Sequence, residues 1–356
     1  MALTTAQSRS LKRLRSIGAS AQAVRLTDDA IRCLIYIATA DLGIQLADTL
    51  APQGVVPKLF DPDFVGGVVL PGAPVAELYE AALQANPEVE TYVHSLASIH
   101  KARLKYRQVL SSQQFPSMDQ VAPRGLLQYG QLSPAGLAAL LVWRKWLFDL
   151  DNRAAQDTGY LFEPVIASAI GGTPASSAKS PIRRLGRAGG RQVDCIKGQS
   201  AYEIKIRITI AASGQGRWAE ELSFPAEARA SGFEPILVVL DPTPNPKLAE
   251  VQRAFLQSGG RVYLGEDAWQ HLRDEAGPEM GTFLENYVRL PLEDIYAAFD
   301  ETETLPDLTV SDHGRQIHFS IGDETWTVQR DAHPDLEPEP EPALRADVSD
   351  GLPGID

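Results

Sequence analysis

The chain has 356 residues, 44% of them hydrophobic, which is enough for one large globular domain or two ordinary ones. No apolar run approaches the roughly 18 residues of a membrane-spanning helix, and the N-terminus lacks the apolar core of a signal peptide. Its two cysteines, Cys33 and Cys195, lie far apart and give neither a disulfide framework nor a Cys/His metal site, so a reducing cytoplasm is expected.

The net charge of −13 is unevenly distributed. Residues 331–356 hold eight acids and one arginine. By contrast, residues 9–25 and 179–191 each hold five basic residues and no acid. Local basic patches matter more for phosphate binding than the global sum. The acidic balance therefore does not exclude a nucleic-acid partner.

The first half of the chain is predicted to be mainly helical, after a basic, partly ordered arm at residues 1–25. Thr27 is a suitable N-cap, and Ser133-Pro134 is a suitable start because proline fits the first helical turn. We predict helices at 27–50, 75–84, 88–110 and from 133 onward. Residues 1–150 form a mainly helical N-terminal region, to which we assign recognition or dimerisation.

The pattern changes after residue 155 to alternating helices and strands, which is typical of an α/β fold. We predict a helix at 160–170, a hairpin at 192–210, a helix at 219–231, a strand at 236–240, a helix at 246–258, a strand at 261–264 and a helix from 266. This core spans 151–300. A C-terminal β-hairpin around Gly322 lies within 301–332, and an acidic disordered tail occupies 333–356.

The segment from Arg191 to Ile210 carries the chemistry. Apolar and polar residues alternate from Tyr202, which indicates a half-buried strand. A two-residue turn at Gly198-Gln199 places Asp194 directly opposite Glu203, with Cβ atoms about 5 Å apart. Two carboxylates at that distance repel each other unless a cation lies between them. Lys205 reaches the same face.

These residues resemble the PD-(D/E)xK nuclease superfamily, which includes most type II restriction endonucleases. The resemblance rests on Asp194 and the triplet Glu203-Ile204-Lys205, and Lys205 alone among nine lysines has an acid two residues before it. Glu163 matches the glutamate often found on the preceding helix, whereas Val193 replaces the proline of the family name. The resemblance covers residues 155–275 and implies a central mixed sheet flanked by helices. The overall layout resembles the ApaLI-like group, although no diagnostic residue carries that narrower likeness.

The resemblance implies a Mg²⁺ site, in which Mn²⁺ can substitute, because hard oxygen ligands suit these ions. Asp194, Glu203, the main-chain carbonyl of Ile204 and Glu163 would be the ligands. Lys205 would orient or deprotonate a water, or offset developing charge. The bland interpretation of the same residues is a solvated hairpin face with cross-strand ion pairs.

A basic, glycine-rich loop at residues 171–190 precedes the hairpin. We interpret it as a clamp on DNA phosphates, with an exposed solvated loop as the alternative. The candidate DNA contacts are Lys179, Arg183, Arg184, Arg187, Arg191, Arg207 and Arg217. We expect a merely solvated face at Lys101, Arg103, Lys105 and Arg107, and surface positions for His94 and His100.

The function that the resemblance implies is a Mg²⁺-dependent type II restriction endonuclease that cuts double-stranded DNA at a short, palindromic, GC-containing site. A homodimer would match such a target by two-fold symmetry. A cognate DNA methyltransferase would belong to the same system without forming a complex, and no membrane partner is expected. Two alternatives stay open: a structure-directed repair or recombination nuclease of the same fold, and a noncatalytic DNA-binding protein.

Overall fold

The structure is a computed structural model that describes residues 4–17, 24–186, 188–207, 215–302 and 304–331, with only the backbone at 16–17 and 215–217. The predicted acidic tail at 333–356, Arg187 and the side chain of Arg217 lie outside the described residues. Within the described part, no helix is both long and apolar enough to cross a bilayer.

The N-terminal half is helical, as predicted. Its helices are α1 (Thr5–Arg15), α2 (Asp28–Asp41), α3 (Pro62–Gly67), α4 (Val75–Ala85), α5 (Val89–Ser112), α6 (Met118–Gly125) and α7 (Pro134–Ala169). Short 3₁₀ turns occupy Asp48–Leu50 and Leu126–Gln128, and β1 (Ser16–Ile17) pairs with β2 (Val24–Arg25). The basic arm is more ordered than expected, because Leu11 and Leu14 of α1 are buried in the core.

Helix α2 begins as predicted but ends early. The Thr27 side chain accepts a hydrogen bond from the main-chain N–H of Ala30, which is an N-cap. The helix stops at Asp41 rather than near Leu50. Gly43 follows with a φ of 64°, a left-handed conformation that ends helices.

Helix α7 is a continuous helix of 36 residues where the sequence predicts two separate helices. Ser133 caps it through a hydrogen bond from the N–H of Gly136, and Pro134 occupies the first turn. The helix continues through Pro164, so Glu163 lies inside it rather than at a helix start. The predicted regional boundary between residues 150 and 151 also falls inside α7.

A five-stranded mixed sheet forms the centre of the second half. Its strands are β3 (Thr173–Ala175), β4 (Val193–Lys197), β5 (Ser200–Lys205), β6 (Glu234–Val239) and β7 (Arg261–Leu264), in the order 3-4-5-6-7. The β4–β5 hairpin is antiparallel, whereas β5–β6 and β6–β7 are parallel. The predicted fold class, a central mixed sheet flanked by helices with a helical N-terminal region, is confirmed.

The hairpin has the predicted register. Lys197 pairs with Ser200, Ile196 with Ala201 and Cys195 with Tyr202. Gly198 has a φ of 57°, which the tight turn requires. Strand β5 ends at Lys205, so the predicted strand to Ile210 was too long, and residues 208–210 lie outside the described residues.

Helices cover both faces of the sheet. They are α8 (Gln215–Ala230), α9 (Pro246–Gln257) and α10 (Glu266–Leu284), which continues through a π-helical turn at Glu285–Arg289 into α11 (Leu290–Asp300). Helices α8 and α9 pack Phe224 and Phe255 against Ala201 and Leu237. On the other face, the largest core unites α7 and α10 with α1, α2, α4 and α5. The helical half and the sheet therefore share one hydrophobic core.

The C-terminal hairpin around Gly322 is present and gains a third strand. β8 (Leu308–Asp312), β9 (Gln316–Ile321) and β10 (Glu324–Gln329) form an antiparallel sheet in the order 10-9-8. Ile317 and Phe319 of this sheet pack with Trp146 of α7. The small sheet is thus attached to the helical half rather than to the central sheet.

Several polar residues of α5 are buried, contrary to prediction. His94 and His100 are each 1% exposed, as is Lys101, and Lys105 is 4% exposed. The His94 imidazole is hydrogen-bonded to Ser10 of α1 at 2.8 Å, and the His100 ring stacks on Phe64. Helix α5 lies between α2, α4 and α7, so most of its faces are covered.

Candidate active site

Three carboxylates converge on one lysine at the end of β5. The Nζ atom of Lys205 lies 2.7 Å from Glu203 Oε1, 3.6 Å from Asp194 Oδ2 and 4.0 Å from Glu163 Oε1. The exposed fractions of the four side chains lie between 7% and 20%, so the cluster is largely shielded from water. The structure therefore brings together all four predicted catalytic side chains.

The hairpin positions three of them. Glu203 and Lys205 share a strand face with Ala201, which packs beneath α8. Asp194 is the next residue after the last hairpin pair, and its Oδ2 accepts a hydrogen bond from the N–H of Ile204 at 3.0 Å. The side chain thus continues the ladder, which holds the carboxylate beside β5. Residue Ile204 lies between the acid and the lysine, as predicted.

Glu163 reaches the cluster from α7. The residues that follow it, Val165 and Ile166, are fully buried in the core beneath the sheet, and they fix this part of the helix. Pro164 is tolerated inside α7 even though it cannot donate a helical hydrogen bond. Glu163 approaches Lys205 from a different element than Asp194 and Glu203, so the lysine is enclosed on more than one side.

The electrostatics of the cluster favour a cation at its centre. Burial raises the pKa of Glu203, and the nearby Asp194 carboxylate raises it further, while Lys205 opposes both effects. Burial alone would lower the pKa of Lys205, but Glu203, Asp194 and Glu163 together raise it well above its ordinary value. Lys205 is therefore an ammonium ion at neutral pH, and it partly neutralises three acids.

The chemistry of the donors fits a hard divalent cation, although the side chains do not form a ready cage. Among the described residues, no three His, Cys, Asp or Glu side chains are arranged as a metal-ligand group. Carboxylate oxygens are the ligands that such cations prefer. The lysine ammonium lies between these carboxylates and holds them around a positive charge.

The predicted DNA-contacting residues divide into two groups. Arg184 donates to Glu220 Oε1 at 2.6 Å, and Arg191 is 6% exposed, with Glu227 Oε2 at 3.7 Å. Arg191 also lies over the Phe224 ring and donates to the Glu220 carbonyl. The predicted DNA contact is therefore corrected for Arg191, because its guanidinium is buried against α8.

The other predicted contacts whose side chains the structure describes are exposed. Lys179 and Arg183 are exposed, and so is Arg207, whose side chain is 62% exposed beside Asp241 at 3.3 Å. The main-chain N–H of Arg183 donates to Ser231 Oγ. These three residues are available to a partner at the surface.

Sequence reasoning missed the acids of α8. Glu220 and Glu227 hold the two arginines, and Glu221 lies close enough to raise the pKa of Glu203. A spacing of seven residues puts Glu220 and Glu227 on one helical face, and this signal could have identified them as partners of the basic loop. Glu221 carried no comparable signal, because its neighbour is on a strand distant in sequence.

Comparison with known proteins identifies the family. The sequence profile described as ApaLI-like restriction endonuclease matches residues 74–289. The type II restriction enzyme ApaLI from Acetobacter pasteurianus is 44% identical over 271 residues, which cover 72% of this chain and 72% of that protein. The chain belongs to the ApaLI-like restriction endonuclease family. No solved structure matches it.

Family membership makes the chain a nuclease of the restriction-enzyme class, and so a hydrolase. The matched range extends well beyond the hairpin. It begins at the start of α4 and ends with the π-helical turn, so it includes helices from the N-terminal half. The resemblance noted at residues 155–275 is confirmed, and the family match covers a longer part of the chain, residues 74–289.

Proposed function

We propose that this chain is a Mg²⁺-dependent type II restriction endonuclease that hydrolyses phosphodiester bonds of double-stranded DNA at a short palindromic site. The observation that carries the proposal is the convergence of Glu203, Asp194 and Glu163 on Lys205 within 4.0 Å. The type II class is that of the relative from Acetobacter pasteurianus, which is 44% identical.

Asp194, Glu203 and the carbonyl of Ile204 would hold Mg²⁺, with Glu163 as an outer ligand or a ligand of a second ion. Mn²⁺ would be accepted by the same oxygens. A bound divalent cation supplies polarisation of the phosphoryl oxygen and a lowered pKa for an attached water. The hydrogen bond from the Ile204 N–H to Asp194 supports this assignment, because it places the carboxylate and the Ile204 peptide side by side.

Lys205 would act first as a positive charge. Its raised pKa makes it an ammonium ion while the acids lack another cation, so it cannot accept a proton in that state. A divalent cation would compete with Lys205 for the carboxylates and so weaken the ion pair between Glu203 and Lys205. The lysine would then turn toward the attacking water or the scissile phosphate, where it orients the water and offsets developing charge.

Exposed basic residues near the site would bind the DNA backbone. Arg207 follows β5 directly, and Lys179 and Arg183 lie on the loop before β4. Arg184 would also contact the DNA only if its ion pair with Glu220 were broken. Arg187 and Arg217 remain predicted contacts. Two copies of the chain would present two such sites to the two strands of a palindrome.

Digestion of unmethylated phage DNA with and without Mg²⁺ tests the proposal. The wild type should give discrete bands only with the cation, and Lys205→Ala should give none while still binding DNA. Lys197→Ala is a matched control, because this lysine lies on the same hairpin but pairs with Glu275 at 2.6 Å, away from the cluster. It should retain the band pattern.

Other outcomes contradict the proposal in distinct ways. A smear, or preferential cutting of branched or flapped DNA, would indicate a structure-directed nuclease. Binding without cleavage at any divalent cation concentration would indicate a noncatalytic DNA-binding protein.

A further inference from the structure

Helix α11 exposes an apolar face that no other described part of the chain covers. None of its residues is buried, although Val288 in the turn before it is. Ile295, Tyr296 and Phe299 are 65%, 49% and 64% exposed. Large contiguous apolar surfaces on soluble proteins mark interaction sites. This face of α11 therefore has no packing partner among the described residues.

A second uncovered apolar surface lies at the α6–α7 connection, which we define as residues 126–133. Leu126, Leu127 and Tyr129 are 76%, 87% and 72% exposed, and Leu132 is 48% exposed. The connection is nevertheless built rather than irregular, since it contains the 3₁₀ turn Leu126–Gln128 and is supported by Val121 and Leu137 beneath it. Its side chains are thus presented outward from a structured base.

The two surfaces carry opposite charge. Residues 290–302 contain four acids and no basic residue. Residues 124–144 contain two arginines and no acid. Arg124 is exposed at the end of α6, and the Arg144 guanidinium donates to Gln128 Oε1 at 2.9 Å, which places it beside the connection. Two α11 helices would repel each other because both are acidic. The acidic α11 and the basic connection would attract each other.

We propose that α11 of one copy docks on the α6–α7 connection of a second copy, and that the same contact is repeated with the roles exchanged. A two-fold arrangement satisfies this, because residue i of one copy contacts residue j of the other and the reverse. The contact itself does not depend on the proposed function. Only the role that we assign to the dimer, cleavage of a palindrome, rests on it. Each copy brings one Asp194–Glu203–Lys205 cluster, so two copies bring one cluster for each strand.

The available area is sufficient. The eight apolar side chains are Leu126, Leu127, Tyr129, Leu132, Leu290, Ile295, Tyr296 and Phe299. With fully exposed side chains of about 150 to 200 Å² each, their exposed fractions amount to on the order of 800 Å² per copy, the contribution of one partner to a standard interface.

Cysteine cross-linking tests the contact directly, because both native cysteines are fully buried and unreactive. Leu127→Cys and Ile295→Cys are made as separate variants and mixed before addition of a short bis-maleimide. A covalent dimer in the mixture, with little from either variant alone, is the expected result. Val55→Cys serves as a matched control, since Val55 is 92% exposed but lies on neither surface. Equal cross-linking by Ile295→Cys alone, or none in the mixture, would overturn the proposal.

Charge reversal provides a second test in sedimentation equilibrium without DNA or metal. The variant Arg124→Glu with Arg144→Glu should weaken the dimer by about tenfold or more, and so should Asp294→Lys with Asp300→Lys. Mixing or combining the two pairs should restore association to within about threefold of wild type. Failure of the combination to recover would overturn the inference.

Cross-linking and sedimentation equilibrium both report on the dimer without any need for DNA cleavage. If the wild type dimerises as described but cleaves no DNA, the proposed nuclease function fails and the interface stands. If Mg²⁺-dependent cleavage occurs with a protein that stays monomeric at micromolar concentration, only the interface is wrong. On supercoiled plasmid, the charge-reversed single pairs should accumulate nicked circles, because one strand is cut per encounter.

Discussion

Two charged clusters, one at the β4–β5 hairpin and one at α8, follow different rules. At the hairpin, three acids surround one lysine that keeps 20% of its side chain exposed. At α8, two arginines share Glu220, and Arg191 is sealed in with Glu227. The first cluster has three acids to one lysine, an excess of negative charge that an added cation would balance. The second is balanced internally and needs no ligand.

The contrast shows where charge is functional and where it is structural. An acid-rich site attracts cations, which is the property that the proposed metal site requires. A closed Arg–Glu pair fixes two elements relative to each other, here the basic loop and α8. The first cluster was predicted as a catalytic site, and its four side chains lie together. Of the second, only the two arginines were predicted, as DNA contacts, and Arg191 is buried instead.

The largest expected effect is on catalysis, from Asp194→Asn. The amide oxygen can still accept the Ile204 N–H, so the hairpin stays intact, but the negative charge needed for the cation is lost. Cleavage should fall by roughly 10³-fold or more, measured in single-turnover assays. Its unfolding free energy should change by less than about 1 kcal/mol. A variant with near wild-type cleavage would remove Asp194 from the active site.

Arg191→Ala should instead affect stability. Removal of a buried guanidinium leaves Glu227, which is 2% exposed, without its charge partner, and such losses cost about 3 kcal/mol or more. Chemical denaturation should show the loss at neutral pH. If stability is unchanged while DNA affinity drops, Arg191 is a DNA contact after all, and the distinction between the clusters fails.

Glu203→Gln gives a smaller effect with a defined sign. The raised pKa of Glu203 means that its contribution to stability is present below its ordinary value of 4.5 and is lost as pH rises through the folded pKa. Without divalent cations, the wild type should therefore lose stability relative to the variant over that rise.

Added Mg²⁺ should stabilise the wild type more than the variant, since only the wild type offers the ionised Glu203 carboxylate to the ion. Thermal denaturation at several pH values, with and without the cation, makes the comparison. A wild type that gains stability relative to the variant as the pH rises above 4.5 without metal would contradict the raised pKa.

The smallest effect is expected for Arg183→Ala. Its side chain is exposed on the loop, so its loss should leave stability within about 0.5 kcal/mol. DNA affinity should fall a few-fold, with a salt dependence shallower by about one unit in the log–log slope. Arg261→Ala is the control, because this arginine pairs with Glu234 at the far edge of the sheet. Equal effects of both substitutions would exclude a specific loop contact.

Much of the fold was predictable because local rules determine it. The alternation from Tyr202 and the turn at Gly198 fixed the register of β4 with β5, and that register placed Asp194, Glu203 and Lys205 together. The caps at Thr27 and Ser133 fixed two helix starts. In each case the signal lies within a few residues of the structure that it predicts.

The remainder depends on tertiary packing that no local pattern records. The polar sequence of α5 gave no sign that Lys101 and His100 are 1% exposed, because neighbouring helices enclose them. Pro164 indicated a helix boundary, yet burial of Val165 and Ile166 keeps α7 continuous. Arg191 looked like loop surface because its partners, Glu220 and Glu227, come about 30 residues later in the chain.

The length of α7 has a consequence for how such an enzyme changes specificity over evolution. One end of this helix supports the small C-terminal sheet through Trp146, and the other end delivers Glu163 to the cluster. An exchange of residues 1–150 with those of a relative would cut the helix in its middle and divide a core shared by both halves. Such an exchange should therefore destabilise both halves, whereas substitutions that leave the shared core intact keep α7 and the position of Glu163.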